Sequence, residues 1–348
     1  MKRRTFLGLS AAAVGALAAP SIVRAQAKRF EGVTLTMNGY GGDYSRILGE
    51  FVAKPLEEKT GLKVVYQNGT VSSAVAKLVA SRDNPPFDLI MADSPNIPDL
   101  IKNDLVEPLT VKNIPAIENL LPGVREFGDF GVPFLTNAVV LTYNTKLVKE
   151  PVTSYADLAR PDLKDRVGLL TPENTAGVLS LIALAEANGG SLDNMEPAFQ
   201  ALERMRPNIS TVTPATVNLL QLFQQEEVWA GPFWDGRIFS MRASGKPMAT
   251  VVPKEGVYAL YNYLNPVKGT KNKEAVLAYI EQALSPEAVG ALVEFFRYAP
   301  TTTVAIPDAV AKDVVLYGPA RDKLRKVNWE KVAALRGGWT EGFNRAIR

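Results

Sequence analysis

Residues 33–43 read Val-Thr-Leu-Thr-Met-Asn-Gly-Tyr-Gly-Gly-Asp, a β-rich run that ends in a glycine loop just before a helical repeat begins. Past that loop Ile47, Leu48, Phe51, Val52 and Leu56 recur at the spacing of one helix face. Pro55 is expected to kink this helix and Gly61 to stop it. Lys63-Val64-Val65-Tyr66 reads as a second strand, Val71, Val75, Leu78 and Val79 mark a second helix, and Phe87-Asp88-Leu89-Ile90-Met91 is a third strand. Alternation of this kind, with right-handed crossovers, predicts a parallel, doubly wound sheet.

The same alternation restarts beyond Tyr143. Val167-Gly168-Leu169-Leu170 is a strand, and Val178 to Ala187 an amphipathic helix stopped by Gly189-Gly190. Ala198 to Met205 is helical, Ile209 to Val212 a strand, Leu219 to Phe223 helical, and Val228 to Trp234 an apolar strand. The fold class is therefore α/β, with two doubly wound lobes. Extended runs at Val139–Tyr143 and Tyr258–Leu264 are the natural crossings between them, with a hinge near 136–143 and 258–266. Lobe 1 then takes 28–138 and 266–348, and lobe 2 takes 139–265. Residues 272–296 and a C-terminal helix from about Trp329 to Ile347 are expected to rejoin lobe 1.

Residues 1–27 read as an export signal rather than as part of the fold. Lys2-Arg3-Arg4 precedes an apolar run from Phe6 to Ala19, and Ala25-Gln26-Ala27 offers small residues for cleavage. Arg3-Arg4-Thr5-Phe6-Leu7 fits the twin-arginine pattern, and the apolar run is shorter than the ~20 residues a membrane span needs. Without this segment Lys plus Arg falls from 39 to 35 against 36 Asp plus Glu, so the mature chain is close to neutral. No cationic face for nucleic acid or anionic lipid is implied. Cysteine is absent, which excludes disulfides, thiolate chemistry and a lipid-modified cysteine, so a freely soluble periplasmic monomer is expected. Histidine is absent too, which removes Ser-His-Asp catalysis, imidazole metal ligation and the usual proton shuttle near neutrality. A binding protein without metal or cofactor is expected before an enzyme; an exported enzyme built on carboxylates is the rival from another class.

Ligands in open α/β sheets sit beyond the carboxyl ends of the strands. Three loops of the first lobe qualify: Gly39 to Asp43, with Tyr40 and Gly42, then Asn68-Gly69, and Asp93-Ser94. From the second come Thr171 to Thr175, with Asn174, and Trp234 to Arg237. Gly41-Gly42 permits close backbone approach to a ligand, or is a plain tight turn. Neither glycine signature of nucleotide binding occurs. Trp234-Asp235-Gly236-Arg237 brings together an aromatic face, a carboxylate and a guanidinium, which suits an amine; equally, Asp235 would cap the next helix with Trp234 in the core. Asp93, before Ser94-Pro95, has the same two readings. Tyr40, Tyr44, Tyr261 and Tyr298 supply candidate aromatic walls.

Several short stretches carry a family resemblance. They include the run from Phe51 to Val64, Phe87-Asp88-Leu89-Ile90, Gly131-Val132-Pro133, Leu141-Thr142-Tyr143-Asn144, Ser154-Tyr155-Ala156-Asp157-Leu158, Val252-Pro253-Lys254-Glu255-Gly256, Lys271-Asn272-Lys273-Glu274-Ala275 and Leu284-Ser285-Pro286-Glu287. In order and spacing the mature chain resembles the periplasmic solute-binding proteins of ABC importers, in the spermidine/putrescine-binding-protein-like group. The resemblance implies a type II periplasmic binding protein fold, hinge closure on a small-molecule ligand, and ABC permease subunits as partners. It implies amine contacts at Tyr40 to Asp43, Asp93-Ser94 and Asn174-Thr175. The group's Trp-x-Asp on the returning crossover falls near Ala259 to Asn262, where Tyr261-Asn262 carries no acid. That departure favours a smaller or zwitterionic amine over a true polyamine, with Asp93 or Asp235 for an ammonium and Arg237 for a carboxylate. Thiamine, a phosphonate or ferric ion, and docking on a sensor instead of a permease, are the alternatives within the fold.

Overall fold

A computed structural model describes residues 28–348; the twin-arginine reading of 1–27 lies outside them. β1 (Thr34–Gly39) leads through the Gly41-Gly42 turn into α1 (Gly42–Leu48). The helix then widens into a π-helical stretch, Gly49–Ala53, before α2 (Lys54–Thr60). Pro55 explains the widening, since it has no N–H to give and its ring crowds the preceding turn. The hydrogen-bond register shifts there: the Lys54 N–H reaches back to the Gly49 carbonyl. Gly61 ends α2 in the left-handed conformation, φ 80°, which glycine adopts without strain.

β2 (Lys63–Asn68), α3 (Val71–Ala80), β3 (Leu89–Asp93) and α4 (Ile97–Lys102) complete the first alternation. β4 (Val132–Asn144) crosses to the second, which runs β5 (Val167–Leu170), α5 (Thr175–Ala187), α6 (Glu196–Met205), β6 (Ile209–Thr213), α7 (Thr216–Gln224), β7 (Ala230–Trp234), α8 (Asp235–Ala243) and β8 (Met248–Val251). β9 (Val257–Pro266) returns to α9 (Lys273–Ala283), α10 (Pro286–Phe296), β10 (Ala299–Pro300), α11 (Asp308–Ala311), β11 (Leu324–Arg325) and α12 (Trp329–Ala346).

One sheet runs through both lobes in the order β2-β1-β3-β9-β4-β7-β5-β6. β1 is parallel to β2 and β3, and β5 is parallel to β6 and β7. The crossing strands are antiparallel to their neighbours: β9 to β3, and β4 to β9 and β7. Alternate residues of β3 serve opposite faces, with Leu89 and Met91 in one core and Ile90 and Ala92 in another. A strand covered on both sides must be apolar throughout, as this one is.

Three expectations change. Residues 272–296 form two helices, because Ser285 accepts from the Ala288 N–H as an N-cap and Pro286 takes the first helical position. α5 is not amphipathic: residues 176–185 are all buried in the second core. α12 does not rejoin the first core. Trp329, Val332, Trp339, Phe343 and Ala346 bury themselves in the second, against α6. Among the described residues no helix is long and apolar enough to cross a membrane.

Candidate functional site

The site begins with a repair between strands. β1 and β3 share a single register pair, Met37 with Leu89, so their carboxyl ends need another tie. The buried Asn38 side chain supplies it, donating to the Met91 carbonyl at 2.8 Å and accepting from the Met91 N–H at 2.7 Å. That tie sets Tyr40 beside Asp93. The Tyr40 hydroxyl donates to Asp93 Oδ1 at 2.6 Å, and Asn262 Nδ2, from β9, donates to the same oxygen at 2.6 Å. Tyr44 in turn donates to Asn262 Oδ1 at 3.3 Å. Burial raises the Asp93 carboxyl above its ordinary range, and the bonds from Tyr40 and Asn262 pull it part of the way back. Burial, together with the nearby Asp93 charge, lifts the Tyr40 and Tyr44 hydroxyls well above theirs, so both remain donors. Asp93 does not cap the following turn, which has no side-chain cap. Its Oδ2 makes no hydrogen bond among the described residues.

Beside this pair, Ser94 Oγ donates to Glu126 Oε2 at 2.8 Å and accepts from the Tyr261 N–H at 2.9 Å. Burial pushes the Glu126 carboxyl up to about 7 against the opposing bonds from Ser94 and its neighbours. Tyr261 and Asn262, adjacent on β9, thus brace Ser94 and Asp93 in turn.

Above lies a cleft of about 480 Å³. Tyr40, Ser72, Asp93 and Asp99 line its first-lobe wall, while Glu173 and Thr175 come from the second lobe. The remaining side is α12, with Trp329 and Arg336. The aromatic series continues from Tyr40 to Tyr44 (4.9 Å between ring centroids), Phe296 (5.1 Å) and Tyr298 (5.4 Å). No group of three or more His, Cys, Asp or Glu that could hold a metal occurs among the described residues.

The structure brings Tyr40, Asp93, Ser94, Thr175, Tyr261 and Asn262 together, and sets the other expected residues elsewhere. Gly42 and Asp43 open α1, where Asp43 pairs with Arg46 at 3.1 Å on the exposed surface. Asn68 is exposed and accepts from Ser45 Oγ at 2.9 Å. Asn174 caps α5 through the Ala176 N–H and donates to Thr216 Oγ1 at 3.0 Å, joining two loops of the second lobe. Trp234 packs half-buried on the second core, and Arg237 is exposed.

Asp235 is only 3% exposed. Its Oδ1 accepts from the Gly236 N–H at 2.8 Å and from the Ala138 N–H of β4 at 3.2 Å, while Oδ2 has no partner. It ties the start of α8 to a crossing strand. Burial pushes its carboxyl up to about 7, and the neighbouring Tyr298 is raised first by burial and then by the Asp235 charge. A carboxyl held above its unfolded value binds its proton more tightly in the folded state, so its contribution to stability falls as pH rises from about 4 through about 7. Asp235→Asn keeps the acceptor oxygen and removes the charge. The variant is expected to melt at or above the wild-type temperature at pH 8, with a flatter pH profile; a lower melting point at pH 8 would contradict this account.

The residues that the sequence reading missed are Ser72, Asp99, Trp329 and Arg336, while Glu173 lies in the Thr171–Thr175 loop it named without being singled out. Asn328 capping a helix that opens on Trp329 marks where α12 starts, yet nothing in its periodicity says which lobe it joins.

A two-lobed α/β fold with a ligand-sized cleft at the carboxyl ends of its strands is an architecture suited to holding a small molecule. Residues 52–317 match the family model described as bacterial extracellular solute-binding protein, and the chain belongs to that family. Among curated proteins it is similar to the spermidine/putrescine-binding periplasmic protein of Salmonella typhimurium, 26% identical over 286 residues, covering 78% of this chain and 80% of that one. Among solved structures it is similar to the spermidine/putrescine ABC transporter substrate-binding protein PotD from Streptococcus pneumoniae, with a TM-score of 0.76 at 20% identity, covering 91% of this chain and all of that one. It is also similar to the Atu4243-GABA receptor, with a TM-score of 0.75 at 20% identity, covering 90% and 98% of the two chains.

Proposed function

We propose that this chain is the periplasmic, substrate-binding component of an ABC importer, exported by its twin-arginine signal, and that it captures a small amine-bearing organic solute as a monomer. The observation that carries this reading is Asp93: its Oδ1 is held by Tyr40 and Asn262, and its Oδ2 remains available at the floor of the cleft for a cation. An ammonium there would form a charge-assisted hydrogen bond beside aromatic rings. The names of the relatives, spermidine and putrescine for two and GABA for the third, are all of amines. Capture closes the lobes about a hinge in β4 and β9 near 136–143 and 258–266, and the closed form is what permease subunits recognise.

A melting screen of the mature protein against amines, amino acids and polyamines tests this. A ligand at 100 times its Kd stabilises the folded state by about 2.7 kcal/mol. Stabilisation by at least one amine, with the compound recovered unchanged, is expected. A shift confined to phosphonates or thiamine, or turnover of the amine, would overturn the reading.

A further inference from the structure

Arg336 plays no part in capturing an amine, yet it lines the same cleft as Asp93. Its Nε donates to the Pro172 carbonyl at 2.6 Å, which anchors the guanidinium to the loop between β5 and α5. Neither terminal nitrogen makes a hydrogen bond, and no carboxylate lies within salt-bridge distance, among the described residues. Partial burial disfavours the unpaired charge, and Glu173 nearby only partly offsets that. The two other acids at the cleft, Asp99 and Glu173, are exposed, where water and salt weaken their pull on a ligand. The strong poles are therefore one carboxylate, Asp93, and one guanidinium, Arg336, placed on different elements of one cleft.

Resting on the amine reading above, we propose that Arg336 receives a carboxylate of the solute, so that the ligand is a small zwitterion with an ammonium at Asp93 and a carboxylate at Arg336, an ω-amino acid rather than a diamine. A guanidinium presents paired donors that match a carboxylate in two parallel bonds, whereas the second ammonium of a diamine would meet a like charge. The volume, about 480 Å³, falls in the range of small-molecule sites. Arg336 takes the role that the sequence pattern offered to Arg237, which is exposed and away from the cleft lining.

The test is calorimetric titration of the wild type, Arg336→Gln, Arg336→Lys and Asp93→Asn with 4-aminobutyrate and with 1,4-diaminobutane, which share a four-carbon spacer. The wild type is expected to prefer the amino acid. Arg336→Gln should weaken it by roughly 30-fold or more while leaving the diamine unchanged or tighter, and Arg336→Lys should recover part of the loss. A merely structural Arg336 would weaken both compounds together. Equal loss of both, or no loss of either in Arg336→Gln, overturns the assignment while the amine reading stands. Failure of every amine to bind the wild type overturns the amine reading and this inference with it, whereas full binding by Asp93→Asn moves the ammonium away from Asp93 and overturns this inference alone.

Discussion

An Asp93→Asn protein is expected to fold as the wild type does and to lose amine affinity by about 100-fold or more. Asparagine retains an acceptor oxygen for the Tyr40 hydroxyl and Asn262 Nδ2, so the bonds that hold the side chain persist. What disappears is the negative charge. Removing one member of a desolvated charge pair costs about 2–5 kcal/mol of binding, and each 1.4 kcal/mol is about tenfold in Kd. The effect has a pH signature. Because burial raises the Asp93 carboxyl, its share of ligand-free stability falls as pH climbs above about 4 and through the raised value, while affinity for a cation grows over the same interval as the carboxylate forms. Asp93→Asn should remove both slopes. Titrations across pH 4 to 8, paired with melting curves of the ligand-free protein, read the two together. Unchanged affinity in the variant, with the fold intact, would move the ammonium away from Asp93.

Gly177→Ala is expected to be the most damaging single-methyl change near the cleft, at about 2–4 kcal/mol. A Cβ at this position would stand 2.1 Å from the Thr171 carbonyl oxygen and 2.5 Å from that of Leu170. Both are backbone, so no side chain can swing aside. The helix cannot step back either, since residues 176–185 are all buried. Relief would require α5, which opens on Thr175, to part from the preceding loop that carries Glu173, and ligand binding should weaken along with the melting temperature. Gly290→Ala in α10 is the control: its Cβ would meet nothing within 4 Å, and the helix should gain up to about 1 kcal/mol. Similar melting of the two variants would mean that α5 is not pinned as described.

The sequence showed the two alternations plainly, because the first-lobe strands are β-rich runs bounded by glycine or helical spacing, and because Gly61 sits where a left-handed residue is needed. The break at Ser285-Pro286 was not read, because helical spacing continues across it, although a serine before a proline is a helix-start signal. α5 was misread: residues 176–185 are apolar or small all round, which is the pattern of a helix buried on every side and not of one with a single apolar stripe. In the site, Asn262, inside β9, was pointed to by the family resemblance, while Tyr40 and Asp93 follow from the rule that ligands gather at strand ends. Arg336 does not, because it sits on a helix that closes the cleft from the far end of the chain, and its lobe was decided by apolar contacts of Trp329, Trp339 and Phe343 with the second core. Asp235 shows the opposite error: a sequence suited to an amine became a buried tie between α8 and β4.

The order of strands also governs how the chain is made. β3 is flanked by β9, whose residues follow the whole of the second alternation, and β7 by β4, whose residues precede it. Each lobe therefore borrows a strand encoded beyond its own segment, and α12, the last element, seals the second core. As the polypeptide emerges from its amino end, the first lobe stays open along one sheet edge until residue 266 has appeared, and the second lacks its final helix until almost the last residue. Completion of both lobes thus comes late and depends on long-range pairing: a chain cut before β9 would leave both lobes unfinished, and one cut before α12 would leave the second core unsealed.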